Sequence, residues 1–512
     1  MTVTLSTAAT GSSLQRLTEA AWERIGDGST LTFEGTTYRS GALAQRARRL
    51  SQGLRDAGLR PGERVVVCMA NCPEVGVTYS AVWRAGGVTT PVLFLLSEEE
   101  LRHVLADSEA AYVVTTPEFL PKVQVAAAGV AGVRGIVLAG GDAAGTLSFA
   151  DLESADEGPL VDADPSGLAA LLYTGGTTGR SKGVMLSHDA LSSAAWAAMS
   201  VSYDPDLSVS LVPLPLSHAY GLLVTTLSLH NPDPGSVVLM RWFDPVGWLE
   251  LAAAHQVQVA PVVPSMLQML LAQPLEDYDL SAMRRITSGA APLLRETRDE
   301  VARRLPQVEL AEGYGCTESA ALISAAPVGA VRPGSVGKPV PGVEVRIELP
   351  DGSAATGPDQ EGEICVRGPS MMTGYWHAPD ETAHAMRDGW LHTGDVGRLD
   401  SDGYLYVVDR LKDLIIRGGI NVYPRDVEDD LLTHPDVVAA AVVGRPDPKY
   451  GEEVVAFVQL RPGASVTAEG LVGFARERIS KAKYPREVRI VDAIPLTSVL
   501  KTDRKALRAL VT

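Results

Sequence analysis

The densest set of groups able to hold an anion lies in LLYTGGTTGRSKGVMLSH, residues 171–188. Between Tyr173 and Gly183 stand Thr174, Gly175, Gly176, Thr177, Thr178, Gly179, Arg180, Ser181 and Lys182. Glycines let backbone N–H groups approach an anion closely, and hydroxyls beside two cations add donors suited to phosphate oxygens. A plain polar hairpin would not need so many donors. The segment is not a Walker A loop, because Lys182 follows serine and precedes glycine, and a strand-like Val-Met-Leu comes before any helix. It holds no GxGxxG, so a dinucleotide site finds no support in it.

A second segment, AEGYGCTESA at 311–320, places Tyr314 between glycines with Thr317 and Glu318 just beyond. An aromatic ring there could stack on a base, a hydroxyl could meet a phosphate, and a carboxylate is the hard oxygen ligand that Mg²⁺ prefers. The plain alternative is a strand end with a buried tyrosine and a surface glutamate. A third segment, 389–424, carries Asp395 in a Thr-Gly-Asp turn and Arg410 further on. A carboxylate at such a junction can take both hydroxyls of a ribose, although Asp also serves turns as a cap. Near the C-terminus, PLTSVLKTDRKALR at 495–508 presents Lys501, followed by Arg504, Lys505 and Arg508; a terminal basic cluster otherwise reads as a solvated face. The nine histidines show no HExxH spacing, and no GxSxG marks a hydrolase nucleophile.

The elements that must position these groups follow from periodicity. Helical spacing at 43–58 and 73–87 alternates with apolar strand runs at 64–70, 111–116 and 135–140, the pattern of an α/β domain. After about residue 330 the pattern changes to glycine-punctuated strands at 342–349, 362–368 and 403–410, a small β-rich subdomain. A new unit is expected to start near 411, with a hairpin-like strand pair, a helix and a strand, then a helix at 468–481 and a strand at 487–494.

Composition narrows the function classes. With 45 Lys+Arg against 62 Asp+Glu, the 512-residue chain has a formal charge of −17 and no net cationic field for nucleic acid. Its 46% hydrophobic and 21% charged residues are ordinary for a soluble globular protein, and the length suggests two to four folding units. Cys68, Cys72, Cys316 and Cys365 form no CxxC pair, which points to reduced thiols in a cytoplasmic protein. The N-terminus lacks a basic region followed by an apolar core, so no signal peptide is read. The most apolar long run, 123–140, is broken by Arg134 and falls short of the roughly 18 apolar residues a membrane span needs.

In this order and spacing, YTGGTTGRSKG at 173–183, PLSHAYGL at 215–222, SGAAPL at 288–293, GYGCTE at 313–318 and the 389–424 segment resemble the adenylate-forming superfamily. That superfamily includes acyl-CoA synthetases, stand-alone adenylation enzymes and firefly-type luciferases. The resemblance implies an α/β fold with several subdomains: a large N-terminal domain, 1–411, of two α/β subdomains and a β-barrel-like one, and a small mobile α+β domain, 412–512. It implies two half-reactions: a carboxylate attacks the α-phosphate of Mg-ATP to give acyl-AMP and pyrophosphate, then a thiol takes the acyl group and AMP leaves.

The resemblance also implies roles. The 173–183 loop would hold the β- and γ-phosphates, Tyr314 would pack at the adenine, Thr317 would meet the α-phosphate and Glu318 would ligate Mg²⁺. Asp395, helped by Arg410, would bind the ribose, and Lys501 would neutralise oxygens in the adenylation step, where a fixed cation is worth most in a dry site. His218 would sit near the acyl pocket and thiol tunnel, with Gly289, Ala290 and Ala291 between pocket and adenine. Tyr220, Met266, Met269, Gly289, Ala291, Gly315, Cys316 and Ala320 are the acyl-pocket candidates. Lys412 would be the hinge, Gly418 and Gly419 would approach pantetheine, and Lys483 would meet the phosphates of CoA. The leading expectation is an acyl-CoA synthetase using ATP, Mg²⁺ and CoA on an undetermined carboxylic acid, as a possible homodimer. Loading of a carrier-protein thiol is the near alternative; a non-catalytic nucleotide binder and an oxygenase are the distant ones. Three positions depart from the family pattern: Gly175 replaces serine, Ser181 replaces proline, and Leu500 replaces the glycine before Lys501.

Overall fold

The computed structural model of the chain describes residues 11–174, 181–481, 483–496 and 502–511. Gly175, Gly176, Thr177, Thr178 and Gly179, together with Leu500 and Lys501, lie outside the described residues. The described strands form four sheets with helices packed around them, a mixed α/β architecture.

One eight-stranded sheet is parallel through its centre, where Arg64–Cys68 pairs with Val88–Pro91 and with Ala110–Thr115. Ala110–Thr115 is buried at every position, as a parallel strand covered on both faces must be. The helix Ser40–Asp56 packs beside it by burying Ala44, Ala47, Leu50, Ser51 and Leu54, a stripe at three- and four-residue spacing. The helix Pro73–Arg84 starts on proline, whose missing N–H costs nothing in a first turn.

The same sheet turns antiparallel at one end: Leu168–Thr174 pairs with Lys182–Ser187, which pairs in turn with Gly374–Tyr375. A nine-stranded sheet lies in the same N-terminal part and contributes the parallel strands Val259–Val262, Arg285–Ser288 and Glu309–Tyr314. A third, antiparallel sheet joins Glu344–Glu348, Gly362–Arg367 and Trp390–Leu399, with Leu405–Arg410 on the last of these. The fourth is formed by the C-terminal residues, in which Val437–Asp447 pairs with Gly451–Leu460 over a core that includes Val442, Val454, Val458 and Leu471. Among the described residues no helix is long and apolar enough to cross a membrane.

Two imidazoles inside this fold make its stability depend on pH. His188, buried at the start of the helix His188–Ser202, accepts a hydrogen bond from Leu14 N at Nδ1 (3.3 Å), and burial lowers it to about 4. His230 is lowered to about 4 as well, by burial and the nearby Arg24. Below about pH 6.5 the unfolded chain takes these protons while the native state does not until near pH 4, so stability falls across that window. His188→Asn, which keeps an acceptor for Leu14 N, is expected to flatten the fall in Tm between pH 7 and pH 4. The stability recovered at pH 4 is on the order of 3 kcal/mol, read by thermal denaturation at each pH.

Candidate active site

The strands that flank the 175–180 segment are held by one helix. Thr174 and Lys182 are paired residues where the two strands leave the sheet. Beside them runs the helix Glu98–Asp107, begun by a capping box between Ser97 and Glu100. Tyr173 donates its hydroxyl to Asp107 Oδ2 at 2.6 Å, and His103 Nε2 lies 3.0 Å from Ser181 O. Lys182 Nζ is 3.5 Å from a Glu381 carboxylate and stands over the ring of Tyr375, 5.6 Å from its centroid.

The strand Glu309–Tyr314 leads directly into the short turn of 3₁₀ helix Thr317–Ser319. Gly315 is obligatory in this bend, since a Cβ there would lie 2.2 Å from Ala321 O. The bend delivers Thr317 and Glu318 to the cleft, where Glu318 Oε1 accepts a hydrogen bond from Tyr375 Oη at 2.8 Å. Tyr314 is partly buried, and its phenol reaches across to donate to Asp395 Oδ2 at 2.7 Å. Asp395 faces Arg410 in the register of two antiparallel strands, with Arg410 Nε 3.1 Å from Oδ1. Each oxygen of this buried carboxylate therefore has a partner. Burial and Asp395 push the Tyr314 phenol well up, so it remains a donor, while Asp395 holds Arg410 firmly charged.

His218 takes a structural part not apparent from its sequence position. It is the N-cap of the helix Ala219–Leu227, with Nδ1 accepting from Tyr220 N at 3.3 Å. Tyr220 Oη lies 3.1 Å from Thr287 Oγ1, and burial pushes the phenol up to about 12. Gly289 is packed against this ring: a Cβ would stand 3.3 Å from Gly313 O and 3.6 Å from Tyr220 Cε1. Ala290 follows at φ 67°, a left-handed conformation uncommon outside glycine.

Thr174, Lys182, His218, Tyr220, Gly289, Ala290, Ala291, Tyr314, Gly315, Cys316, Thr317, Glu318, Asp395, Arg410 and Lys412 line one continuous cleft of about 2050 Å³. Three acyl-pocket candidates do not line it. Met266 is packed in a hydrophobic core, Met269 is exposed, and Ala320 is buried in the left-handed turn behind Cys316. Gly418 and Gly419 also lie off the cleft. Both have positive φ, 58° and 80°, in the two-residue turn joining Ile415–Arg417 to Ile420–Val422, so the hairpin itself requires them. Lys483 is not a lone cation either: its Nζ is 3.6 Å from Asp426. At the candidate hinge, Lys412 O accepts from Arg508 at 3.2 Å, and Asp413 pairs with Arg508 at 2.6 Å. Partial desolvation and the neighbouring Arg410 lower the Lys412 ammonium.

At the cleft edge Glu348, Glu363, Cys365 and His392 converge as metal-ligating types. Their charges are already matched inside the protein: Arg346 pairs with Glu348 at 2.7 Å, and His392 Nδ1 lies 2.8 Å from Glu363. Glu363 also takes Gly394 N at 3.1 Å, bracing the turn that precedes Asp395.

The chain as a whole is matched by known proteins. The AMP-binding enzyme family matches residues 18–376, and the AMP-binding enzyme C-terminal domain matches 426–501. The chain belongs to the AMP-binding enzyme family. It is 39% identical over 471 residues to a feruloyl-CoA synthase of Amycolatopsis sp, covering 90% of this chain and 92% of that one. It is 38% identical over 499 residues to 4-coumarate–CoA ligase 5 of Oryza sativa subsp. japonica, covering 94% and 90%. The crystal structure of ATP-bound MatB from Rhodopseudomonas palustris superposes with a TM-score of 0.89 at 32% identity, covering 98% of this chain and 99% of that one. The apo form of MatB gives 0.77, so this AMP-binding enzyme has an arrangement nearer the ATP-bound form.

Tyr375, Glu381 and the helix bearing His103 and Asp107 are the parts of this site that motif reading missed, because each acts on a residue far away in sequence. Asp395→Asn should keep the shape of this acceptor and lose its charge. The expected result is an ATP KM raised about 10-fold or more, with Tyr314→Phe several-fold, measured by steady-state kinetics with Tm as the folding control.

Proposed function

We propose that this AMP-binding enzyme is an ATP-dependent, AMP-forming acid–CoA ligase whose acids are aryl acids of the hydroxycinnamate kind. The observation that carries the reading is the single cleft that joins Lys182, Glu318, Asp395 and the Tyr220–Thr287 pair. The aryl assignment is supported by the feruloyl and coumarate relatives and by that pair, a buried phenol and hydroxyl able to meet a ring hydroxyl.

In the first half-reaction, Asp395 would hold the ribose while its other contacts, Tyr314 and Arg410, fix its orientation. Lys182 and the 175–180 segment would take the polyphosphate. Glu318 has the hard oxygen donors suited to Mg²⁺, which would supply charge neutralisation at the phosphates. The acid would lie along Tyr220, Gly289 and Cys316, its carboxylate directed to the α-phosphate near Thr317. Lys501 would neutralise charge as the acyl–phosphate bond forms. Rotation about Lys412 would then withdraw Lys501 and admit the thiol of CoA, with Gly418, Gly419 and Lys483 on the incoming face. The four free cysteines favour a reducing compartment, the cytoplasm.

The deciding experiment is pyrophosphate release from Mg-ATP, with and without CoA, across ferulate, coumarate, benzoate, malonate and fatty acids. Release with hydroxycinnamates well above the others, and acyl-CoA only when CoA is present, is the expected outcome; a preference for malonate or fatty acids would overturn the substrate class. Lys501→Ala should lower the pyrophosphate-release rate by about 100-fold or more while ATP still binds.

A further inference from the structure

Glu318 and Lys182 carry opposite charges, line the same cleft, and are joined by a single uncharged side chain. Tyr375 donates its hydroxyl to Glu318 Oε1 at 2.8 Å, and its ring lies under Lys182 Nζ at 5.6 Å from the centroid. We propose that Tyr375 is a positioning residue for magnesium: its phenol orients the Glu318 carboxylate for the ion, and its ring seats Lys182 beside it. The inference rests on the reading of Glu318 as the magnesium-holding carboxylate.

The physical argument is one of charge. A carboxylate in a partly closed cleft needs a hydrogen-bond donor, and the Lys182 ammonium is one of the cations that line the same cleft. Direct pairing of Glu318 with Lys182 would neutralise the group that must attract the metal; Lys182 has another carboxylate beside it, Glu381 at 3.5 Å. A phenol satisfies one carboxylate oxygen without cancelling the negative charge. It leaves the second oxygen for a cation, as outer partners of ligating carboxylates commonly do.

The ring does separate work. Cation–π attraction seats the Lys182 ammonium without discharging it, and Glu381 at 3.5 Å steadies it from the far side. Tyr375 is itself well fixed: it pairs with Val184 in the sheet, and its N–H donates to Thr382 Oγ1 at 2.8 Å. The next residue ties it down again, since Trp376 N donates to Gly183 O at 2.7 Å. A side chain so anchored can set the direction of a carboxylate 57 residues away in sequence.

The test is direct binding of Mn²⁺, followed by electron paramagnetic resonance, to the full-length enzyme with an α,β-methylene ATP analogue. Tyr375→Phe removes the hydroxyl and keeps the ring. It should weaken Mn²⁺ binding about 10-fold and raise the Mg²⁺ half-saturation of pyrophosphate release by a similar factor. Its KM for the acid, and for ATP at saturating Mg²⁺, should stay within about twofold of wild type. Tyr375→Leu removes the ring too and should raise the ATP KM in addition. Glu318→Gln, run in parallel, should weaken Mn²⁺ at least as much. If Glu318→Gln binds weakly but Tyr375→Phe binds as wild type does, the phenol has no such role. Wild-type Mn²⁺ binding by Glu318→Gln would remove the carboxylate assignment and this inference with it.

Discussion

Two carboxylates in the cleft must keep their negative charge while being partly removed from water, and the surrounding structure is built around that requirement. Each is held by a tyrosine hydroxyl: Glu318 by Tyr375 and Asp395 by Tyr314. A phenol satisfies an acceptor as a hydrogen-bond donor and adds no positive charge. Asp395 takes one cation as well, Arg410, placed opposite it by strand register. The three sheets of the N-terminal part meet at these contacts. The strand Glu309–Tyr314 delivers one tyrosine, Gly374–Tyr375 the other, and Trp390–Leu399 the aspartate.

Much of the fold was legible locally. The largely apolar runs at Arg64–Cys68 and Ala110–Thr115 read as buried strands because parallel strands are covered on both faces. The helices Ser40–Asp56 and Ala468–Arg478 announced themselves by the spacing of Ala, Leu and Val. The glycine pair at 418–419 marked a hairpin, although its reading as a ligand approach did not anticipate that the turn alone demands both residues. What sequence could not show was contact across distance. Nothing in GYW at 374–376 says that its tyrosine meets a glutamate in the distant 3₁₀ turn Thr317–Ser319. Met266 and Met269 are apolar and near the right strand, yet the helix Pro264–Leu271 turns one into the core and the other to solvent. Lys483 read as an available cation because its partner, Asp426, lies on a different element.

Among the described residues, the C-terminal part meets the rest through Arg425 and through Leu294, which packs against the C-terminal hydrophobic core. Arg425 donates to Val407 O at 3.2 Å and Leu293 O at 3.3 Å, while its N–H meets Asp409 at 3.0 Å. Within the C-terminal part itself, Asp413 beside the candidate hinge is gripped by Arg508, and Arg504 lies 3.7 Å from it. These arginines belong to the last helix, Arg504–Ala509, which directly follows the Lys501 segment. Any turn of the chain at 412 therefore carries that helix with it. Polar contacts of this kind can be exchanged for water at modest cost, unlike an apolar interface of equal size.

Cys316 lines the same cleft as Glu318 and Asp395, and its thiol is pushed well up by burial and by the charge of Glu318. Only a thiolate attacks carbonyl carbon at a useful rate. An acyl adenylate is a strong electrophile, and a nucleophilic cysteine alongside it would acylate the enzyme itself. Burial first, and the charge of Glu318 second, keep that sulfur a protonated thiol and so a poor nucleophile towards an activated carbonyl in the cleft.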